Sequence, residues 1–165
     1  MDFIKLLAAL ISLFIEEFRI YPVLRYKLYM IADEKSFSFP GKSVSFSDLE
    51  DVPMVLPNAT NPLCRLILQS CREEKIVPKV AANEASAKTL AHLVHRGQGI
   101  GFIPENSAGV TCRIYPHMGM YRIEPEKYFD YSLIAMRDPT PSRHVRRLIE
   151  YVAEKAENNI IPDSI

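Results

Sequence analysis

The chain has 165 residues, of which 48% are apolar and 24% are charged, and its formal net charge is zero. This length is enough for one ordinary domain or two small lobes with a buried core, so disulfides are not needed for stability. A neutral chain has no overall positive field to attract nucleic acid, so DNA binding would need a local basic face.

Two features of the sequence bear on location. The three cysteines, Cys64, Cys71 and Cys112, are an odd number without the spacing of a disulfide framework, which predicts a reducing, cytoplasmic environment. The apolar run from Leu6 to Ile15 lacks the cleavage site of a signal peptide and is too short to span a bilayer. We therefore interpret it as part of the fold and expect no membrane partner. Its pattern fits a helix or a strand, so the secondary structure of residues 3–18 stays open.

The first half of the chain alternates short apolar strands with helical patterns. Prolines, glycines and capping residues mark the ends of these elements. The predicted elements are a strand at Ile20–Ala32, a short strand entering a one-turn helix at Val44–Leu49 with Ser47 as N-cap, a buried strand at Pro53–Pro57, and a helix from Asn61 and Pro62 to about Lys75.

The second half continues this alternation. A helix after Asn83–Ser86 has Ala87, Leu90, Ala91 and Val94 on its apolar face and His92 and His95 on the opposite, wet face. The other predicted elements are strands from Val77, at Gly99–Ile103, at Met120–Ile123 and at Phe129–Met136, a short helix at Glu105–Gly109, and a last helix from about Ser142. This order predicts an α/β fold whose largely parallel sheet is covered on both faces.

The usual catalytic and metal motifs are missing from the sequence. His92 and His95 are three residues apart with no cysteine or carboxylate at ligand spacing, so they predict a solvated helix surface better than a zinc site. No serine lies in a nucleophile elbow, and no histidine and acid are placed to activate a nucleophile. The sequence therefore predicts neither an enzyme nor a metal or other cofactor.

Two further motifs have simple structural explanations. The glycines of Gly97-x-Gly99-x-Gly101 precede a strand, whereas the dinucleotide-binding pattern opens a helix, so they predict a helix end and a close turn. The basic residues at the start of the last helix are typical of a solvated face, and we expect no direct DNA binding through them: Arg143, His144, Arg146 and Arg147.

Loops at the carboxyl ends of strands are the candidate ligand site, because open α/β sheets bind ligands there. The segment from Pro57 to Thr60 leads into a helix N-terminus, whose free N–H groups favour a carboxylate or phosphate. Asn83–Glu84 and Phe102–Pro104 lie at two other such ends. The alternative, that Asn58 and Thr60 only cap and turn the chain, is equally compatible with the sequence.

The order of these segments resembles the effector-binding domain of LysR-type transcriptional regulators. The resemblance depends on Asp48-Leu49 followed by a proline-bounded strand, and on Leu93-Val94-x-x-Gly97-x-Gly99-Ile100. Each motif is weak alone, and their order and spacing make the match specific. The similarity extends over about residues 20–158.

The resemblance implies a periplasmic-binding-protein-like α/β fold of two lobes joined by two crossing strands. It implies a first-lobe remnant at 1–25, a complete second lobe with a mixed, mostly parallel sheet at 26–136, and a C-terminal helix of the first lobe with a tail at 137–165. The first lobe is therefore expected to be partial. By position, the second lobe would contribute five effector-binding residues: Asn58, Ala59, Thr60, Asn83 and Phe102.

The function implied is that of a ligand-sensing and oligomerising fragment without a helix-turn-helix DNA-binding domain. Its effector would be a small carboxylate or another anion. The stripe from Val145 to Ala156 and the run from Leu6 to Ile15 would be costly to leave wet, which predicts that they pack together or form a homodimer or a mixed association with full-length relatives. Two alternatives stay open: a freestanding solute-binding module, and a small α/β enzyme using Glu84.

Overall fold

The computed structural model describes residues 18–136, 140 and 142–159, apart from the side chains of residues 22, 153 and 155–159. These residues form seven strands, four α-helices and one short 3₁₀ helix, Phe46–Leu49. The strands are β1 Phe18–Asp33, β2 Ser43–Val44, β3 Pro53–Pro57, β4 Lys79–Glu84, β5 Ile100–Pro104, β6 Met118–Ile123 and β7 Tyr128–Met136. The helices are α1 Pro62–Glu73, α2 Ala87–His95, α3 Glu105–Ile114 and α4 Arg143–Asn159.

The chain divides into two compact units. One contains residues 26–129, and the other contains residues 1–25 together with 130–165. The lobe boundaries that the resemblance implied, at residues 25 and 136, stay predictions. The apolar run Leu6–Ile15 lies outside the described residues, as does most of the segment 3–18.

The sheet is mixed, and the predicted α/β fold is confirmed. Its strand order is β2-β6-β1-β5-β3-β4, with β7 also paired to β1. The pairs β3–β4, β3–β5 and β2–β6 are parallel, as the βαβ pattern predicted. By contrast, β1 runs antiparallel to both β5 and β6, with Tyr29 opposite Ile103 on one side and Arg122 on the other.

Helices cover both faces of this sheet, which explains the continuous apolar runs of its central strands. In β1, Leu28, Met30 and Ala32 belong to a core shared with α1 and the 3₁₀ helix, whereas Tyr29 and Ile31 belong to a core shared with α2 and α3. Neighbouring residues of a strand point to opposite faces, so both sets are buried. A strand that is wet on one face would need polar residues at every second position.

Caps explain where the first helices begin. The side chain of Asn61 accepts a hydrogen bond from the Leu63 N–H at 2.9 Å, and Pro62 occupies the first turn, as predicted. The predicted cap of the 3₁₀ helix was wrong by two residues. Ser45, not Ser47, precedes that helix, and the carboxylate of Asp48 accepts the Ser45 N–H at 2.8 Å.

Each of the three glycines of the 97–101 motif occupies a position where a side chain would be strained or would clash with a neighbour. Gly97 has φ +73° just after α2, the conformation that ends a helix. A Cβ at Gly99 would lie 2.6 Å from the carbonyl oxygen of Pro53, and one at Gly101 would lie 2.8 Å from Leu90. The motif therefore brings β5 close to β3 and α2 close to the sheet.

Two details of the helices differ from the expectation. Helix α3 continues to Ile114, about one turn and a half beyond Gly109, and Cys112 in this added part packs against the same core as the fully buried Ala108. His95 is half-buried instead of wet. Its ring lies 5.1 Å from that of Tyr115, and its buried Nδ1 has no hydrogen-bond partner among the described residues.

Candidate functional site

A cavity of about 70 Å³ lies at the carboxyl ends of three parallel strands, entirely within the unit 26–129. Pro57 ends β3, Glu84 ends β4 and Pro104 ends β5, and all three residues line the cavity. This is the edge at which ligands bind in open α/β sheets.

The N-termini of three helices border the same cavity, because each of these strands is followed by a helix. Asn61 caps α1, Ala87 opens α2 and Ser107 lies in the first turn of α3, and all three line the cavity. Helix N-termini carry unsatisfied N–H groups and partial positive charge. This edge of the sheet therefore favours an acceptor or an anion.

The walls of the cavity are mainly apolar, and they include Leu63 and Leu90. Three polar side chains complete them: Asn61, Glu84 and Ser107. No lysine or arginine lines the cavity. The carboxylate of Glu84 makes no ion pair or hydrogen bond with any residue in the described part of the chain. Among the described residues, the only formal charge in the wall of the cavity is therefore negative.

The predicted site residues of the β3–α1 loop lie beside this cavity but do not line it. Asn58, Ala59 and Thr60 are exposed. The Asn58 N–H donates to the Glu84 carbonyl at 3.1 Å, and the Asn61 N–H donates to the Asn58 carbonyl at 2.8 Å. These bonds form a turn and tie the loop to the end of β4.

Asn83 and Phe102 have different positions from the loop. Asn83 is exposed and pairs with Leu56, one residue before the ends of both strands. Phe102 does line the cavity, but it has no exposed surface, since its ring stacks on Phe46 in the core. It therefore forms part of the floor of the cavity.

Asn61, Glu84 and Ser107 were not among the predicted site residues. Residues 83 and 84 point to opposite faces of β4, and the sequence alone does not say which of them faces the cavity. Asn61 was recognised only as a cap, and Ser107, within the predicted helix Glu105–Gly109, was considered only as a possible catalytic nucleophile. The sequence signals that could have identified these residues are a polar residue at or after the end of a strand and a hydroxyl in the first turn of a helix.

A wider groove of about 190 Å³ runs between α2 and α3, with Lys88 and Tyr115 on its walls. It shares Ala87, Ile103 and Ser107 with the cavity. Its lining is largely apolar and includes the buried residues Ala91 and Ile103. The smaller cavity combines the strand ends with three polar groups, and it is therefore the better candidate site.

The cysteines have the character of packing residues. Cys64 and Cys71 are buried and Cys112 is half-buried, all as free thiols. Burial raises the pKa of each thiol, which disfavours the nucleophilic thiolate. Within the described residues, no three His, Cys, Asp or Glu side chains are grouped to hold a metal ion, and no helix is long and apolar enough to cross a membrane.

The family model of the LysR substrate binding domain matches residues 12–157 of the chain. No protein of curated function matches the chain in sequence. The matched family consists of effector-binding domains of transcriptional regulators, which are not enzymes.

Solved structures of the same fold include two domains with bound small molecules. The effector-binding domain of QuiR in complex with shikimate has a TM-score of 0.76 and 18% sequence identity, with 88% of this chain and 68% of that one covered. The regulatory domain of CcmR from Synechocystis PCC6803 in complex with 2-PG has a TM-score of 0.74 and 13% identity, with 86% and 68% covered.

The match to a full-length regulator shows how much of such a protein the chain covers. CbnR in complex with its target DNA has a TM-score of 0.71 and 20% identity, with 86% of this chain covered. The match covers 49% of CbnR. The chain thus spans about half the length of that regulator.

Proposed function

Because the chain belongs to the family of LysR substrate-binding domains, we propose that it binds a small-molecule effector and responds to it without catalysing a reaction. The observation that carries this proposal is the cavity at the carboxyl ends of β3, β4 and β5, bordered by three helix N-termini. Shikimate and 2-PG are the small molecules bound by QuiR and CcmR, and a compound of similar size is proposed here.

The proposed effector is a small carboxylate or another anion. The N-termini of α1, α2 and α3 supply the partial positive charge that would attract it. Glu84 opposes this attraction from the wall of the cavity. The anionic group is therefore proposed to lie at the helix ends and the exposed loop, and the remainder of the molecule is proposed to enter the cavity.

The residues proposed to touch the effector are those predicted from the sequence. Thr60 and the loop residues Asn58 and Ala59 are exposed beside the cavity and are free to contact an anion. Asn83 would contribute from the end of β4, and Phe102 would contribute the floor. A cytoplasmic location is proposed with them, on the evidence of the three free cysteines.

Self-association is the second part of the proposal, either as a homodimer or as a mixed association with full-length relatives. Its support is the apolar stripe of α4, where Val145, Leu148 and Tyr151 are 45%, 54% and 59% exposed. Side chains of this size stabilise an interface when they are buried, since apolar burial contributes about 25 cal/mol per Å².

The test of effector binding is calorimetric titration and thermal unfolding of the whole chain with shikimate, propionate and inorganic phosphate. We expect at least one carboxylate to bind and to raise the melting temperature. Thr60→Ala should weaken that binding, whereas Ser38→Ala should not. Ser38 is an exposed hydroxyl-bearing residue in the β1–β2 loop. This loop lies at the other end of the strands from the cavity, because its Ser36 lies against Gly97, just before β5. If no carboxylate or phosphate binds at millimolar concentration, the proposed function is wrong.

A further inference from the structure

The charge of the candidate cavity constrains which part of an effector can enter it. Its wall contains the carboxylate of Glu84 and neither a lysine nor an arginine. Burying a carboxylate group of a ligand beside Glu84 would place like charges together, which is unfavourable in a partly desolvated site. A hydrogen-bond donor in the same place would satisfy Glu84, which has no other partner among the described residues.

The other two polar groups distinguish a hydroxyl from an ammonium. The Oδ1 atom of Asn61 accepts the Leu63 N–H and keeps one lone pair, and its Nδ2 amide is a hydrogen-bond donor with no partner among the described residues. Ser107 holds only a long bond of 3.4 Å to Asn106 and can donate or accept. A ligand hydroxyl can donate to Glu84 and accept from Asn61 or Ser107, whereas an ammonium group can only donate.

The size of the cavity sets how much of the ligand can enter. Its volume of about 70 Å³ is roughly half of the ~150 Å³ in which a benzene ring binds. A hydroxyl group and its carbon fit into this space, and a whole ring does not. The cavity is therefore suited to a substituent of the effector.

We infer that the effector is a hydroxylated carboxylate, one hydroxyl of which enters the cavity and donates a hydrogen bond to Glu84. This inference rests on the proposed binding function and names its ligand class. Glu84 then acts as a specificity residue, because a ligand without the hydroxyl offers the Glu84 carboxylate no hydrogen-bond donor.

The experiment compares two matched pairs of ligands by calorimetry on the whole chain. Shikimate and 1-cyclohexene-1-carboxylate share a ring and a carboxylate and differ in the hydroxyls, and β-alanine and propionate differ in an ammonium group. We expect shikimate to bind at least about tenfold more tightly than its deoxy analogue, the size of a charge-assisted hydrogen bond. The ammonium pair should show a smaller preference, because an ammonium group can donate to Glu84 but leaves the Asn61 amide donor without an acceptor.

Three variants assign the preference to Glu84. Glu84→Ala should remove most of the preference for shikimate, and Glu84→Gln should keep part of it because the amide oxygen still accepts. The matched control is Glu105→Gln, which removes an exposed carboxylate from the first turn of α3 without changing the lining of the cavity. Circular dichroism and the melting temperature of each variant report whether it is folded.

The possible outcomes separate the two proposals. Equal binding of shikimate and its deoxy analogue, a preference that survives in Glu84→Ala, or a preference for β-alanine over propionate at least as large as that for shikimate would overturn the hydroxyl inference and leave carboxylate binding intact. Failure of all four ligands to bind would overturn the hydroxyl inference, and failure of inorganic phosphate as well would overturn the proposed function.

Discussion

Phe46 and Phe102 stack with their ring centroids 5.3 Å apart and their planes 8° from parallel, and both rings are fully buried. The pair joins the 3₁₀ helix to β5 directly beneath the candidate cavity. Phe102→Ala should lower the free energy of unfolding by about 3–5 kcal/mol, the usual cost of removing a buried aromatic ring. Urea denaturation of the variant measures this loss.

A double-mutant cycle tests the stacking itself. Phe46→Leu and Phe102→Leu, made singly and together, should show a coupling energy of about 0.5–1.5 kcal/mol. Strict additivity of the two substitutions would mean that the rings contribute only through the apolar area that they bury.

Gly99 is a second position at which the core allows no side chain. A Cβ there would lie 2.6 Å from a backbone oxygen of Pro53, which cannot move without displacing β3. Gly99→Ala should therefore lower the free energy of unfolding by about 1–3 kcal/mol. Gly109→Ala is the control, since a Cβ at Gly109 on α3 meets no atom within 4 Å. It should be neutral or stabilise by up to about 1 kcal/mol, and an equal loss in both variants would contradict this explanation.

Much of this fold was predictable, because strands buried on both faces and capped helices leave strong local signals. The prolines of β3 and the Asn61-Pro62 cap marked their elements correctly. The antiparallel direction of β1 was not predictable, since its partners, Ile103 and Arg122, are more than 70 residues away. The sequence pointed to the edge of the sheet at which the cavity lies, but of the residues that line the cavity it proposed only Phe102 as an effector contact. The side of β4 that faces the cavity depends on how α1 and α2 pack, which neither Asn83 nor Glu84 specifies locally.

Asn61 has both a structural and a proposed binding role, and two substitutions separate them. Asn61→Ala should lower the free energy of unfolding by about 1 kcal/mol through loss of the cap. Asn61→Asp keeps an acceptor for the Leu63 N–H, so its stability should stay near that of the original chain. The added charge beside Glu84 should nevertheless weaken carboxylate binding. Calorimetric titration checks this, and unchanged affinity would place the ligand away from the cavity.

The ion pair of Glu73 and Lys127 should make stability depend on pH. Lys127 Nζ lies 2.7 Å from Glu73 Oε2, and this hydrogen bond, helped by Gln69, holds the pKa of Glu73 below its ordinary value of 4.5. Because the pKa is lower in the folded state, the pair stabilises the fold above about pH 4.5. That stabilisation is lost as the pH falls from this value through the folded pKa.

Carboxyl NMR titration of Glu73 measures this effect directly. Lys127→Met should move the pKa of Glu73 back towards 4.5 and make the acid side of the stability profile less steep. The change should be small, since the carboxylate is exposed and screened by solvent. A pKa of Glu73 that is the same in both proteins would exclude the pair as its cause.

The exposed stripe of α4 predicts concentration-dependent self-association. Sedimentation velocity of the original chain should show a dimer, and Leu148→Glu or Val145→Glu should weaken it at least about tenfold, since each buries a charge in an apolar contact. Arg147→Glu, an exposed change on the same helix, should have a smaller effect. A monomer at every concentration would rule out the dimer.

The position of β1 in the middle of the sheet has a consequence for biosynthesis. Among the described strands β1 is synthesised first, and the strands that pair with its residues 28–33, β5 and β6, are made some 70 to 95 residues later. Until Ile123 has been synthesised, the apolar side chains of residues 28–32 lack their partners on both edges. The nascent chain must therefore carry an unpaired hydrophobic strand while the residues up to β5 and β6 are made, and this part of the sheet can be completed only after β6 has emerged.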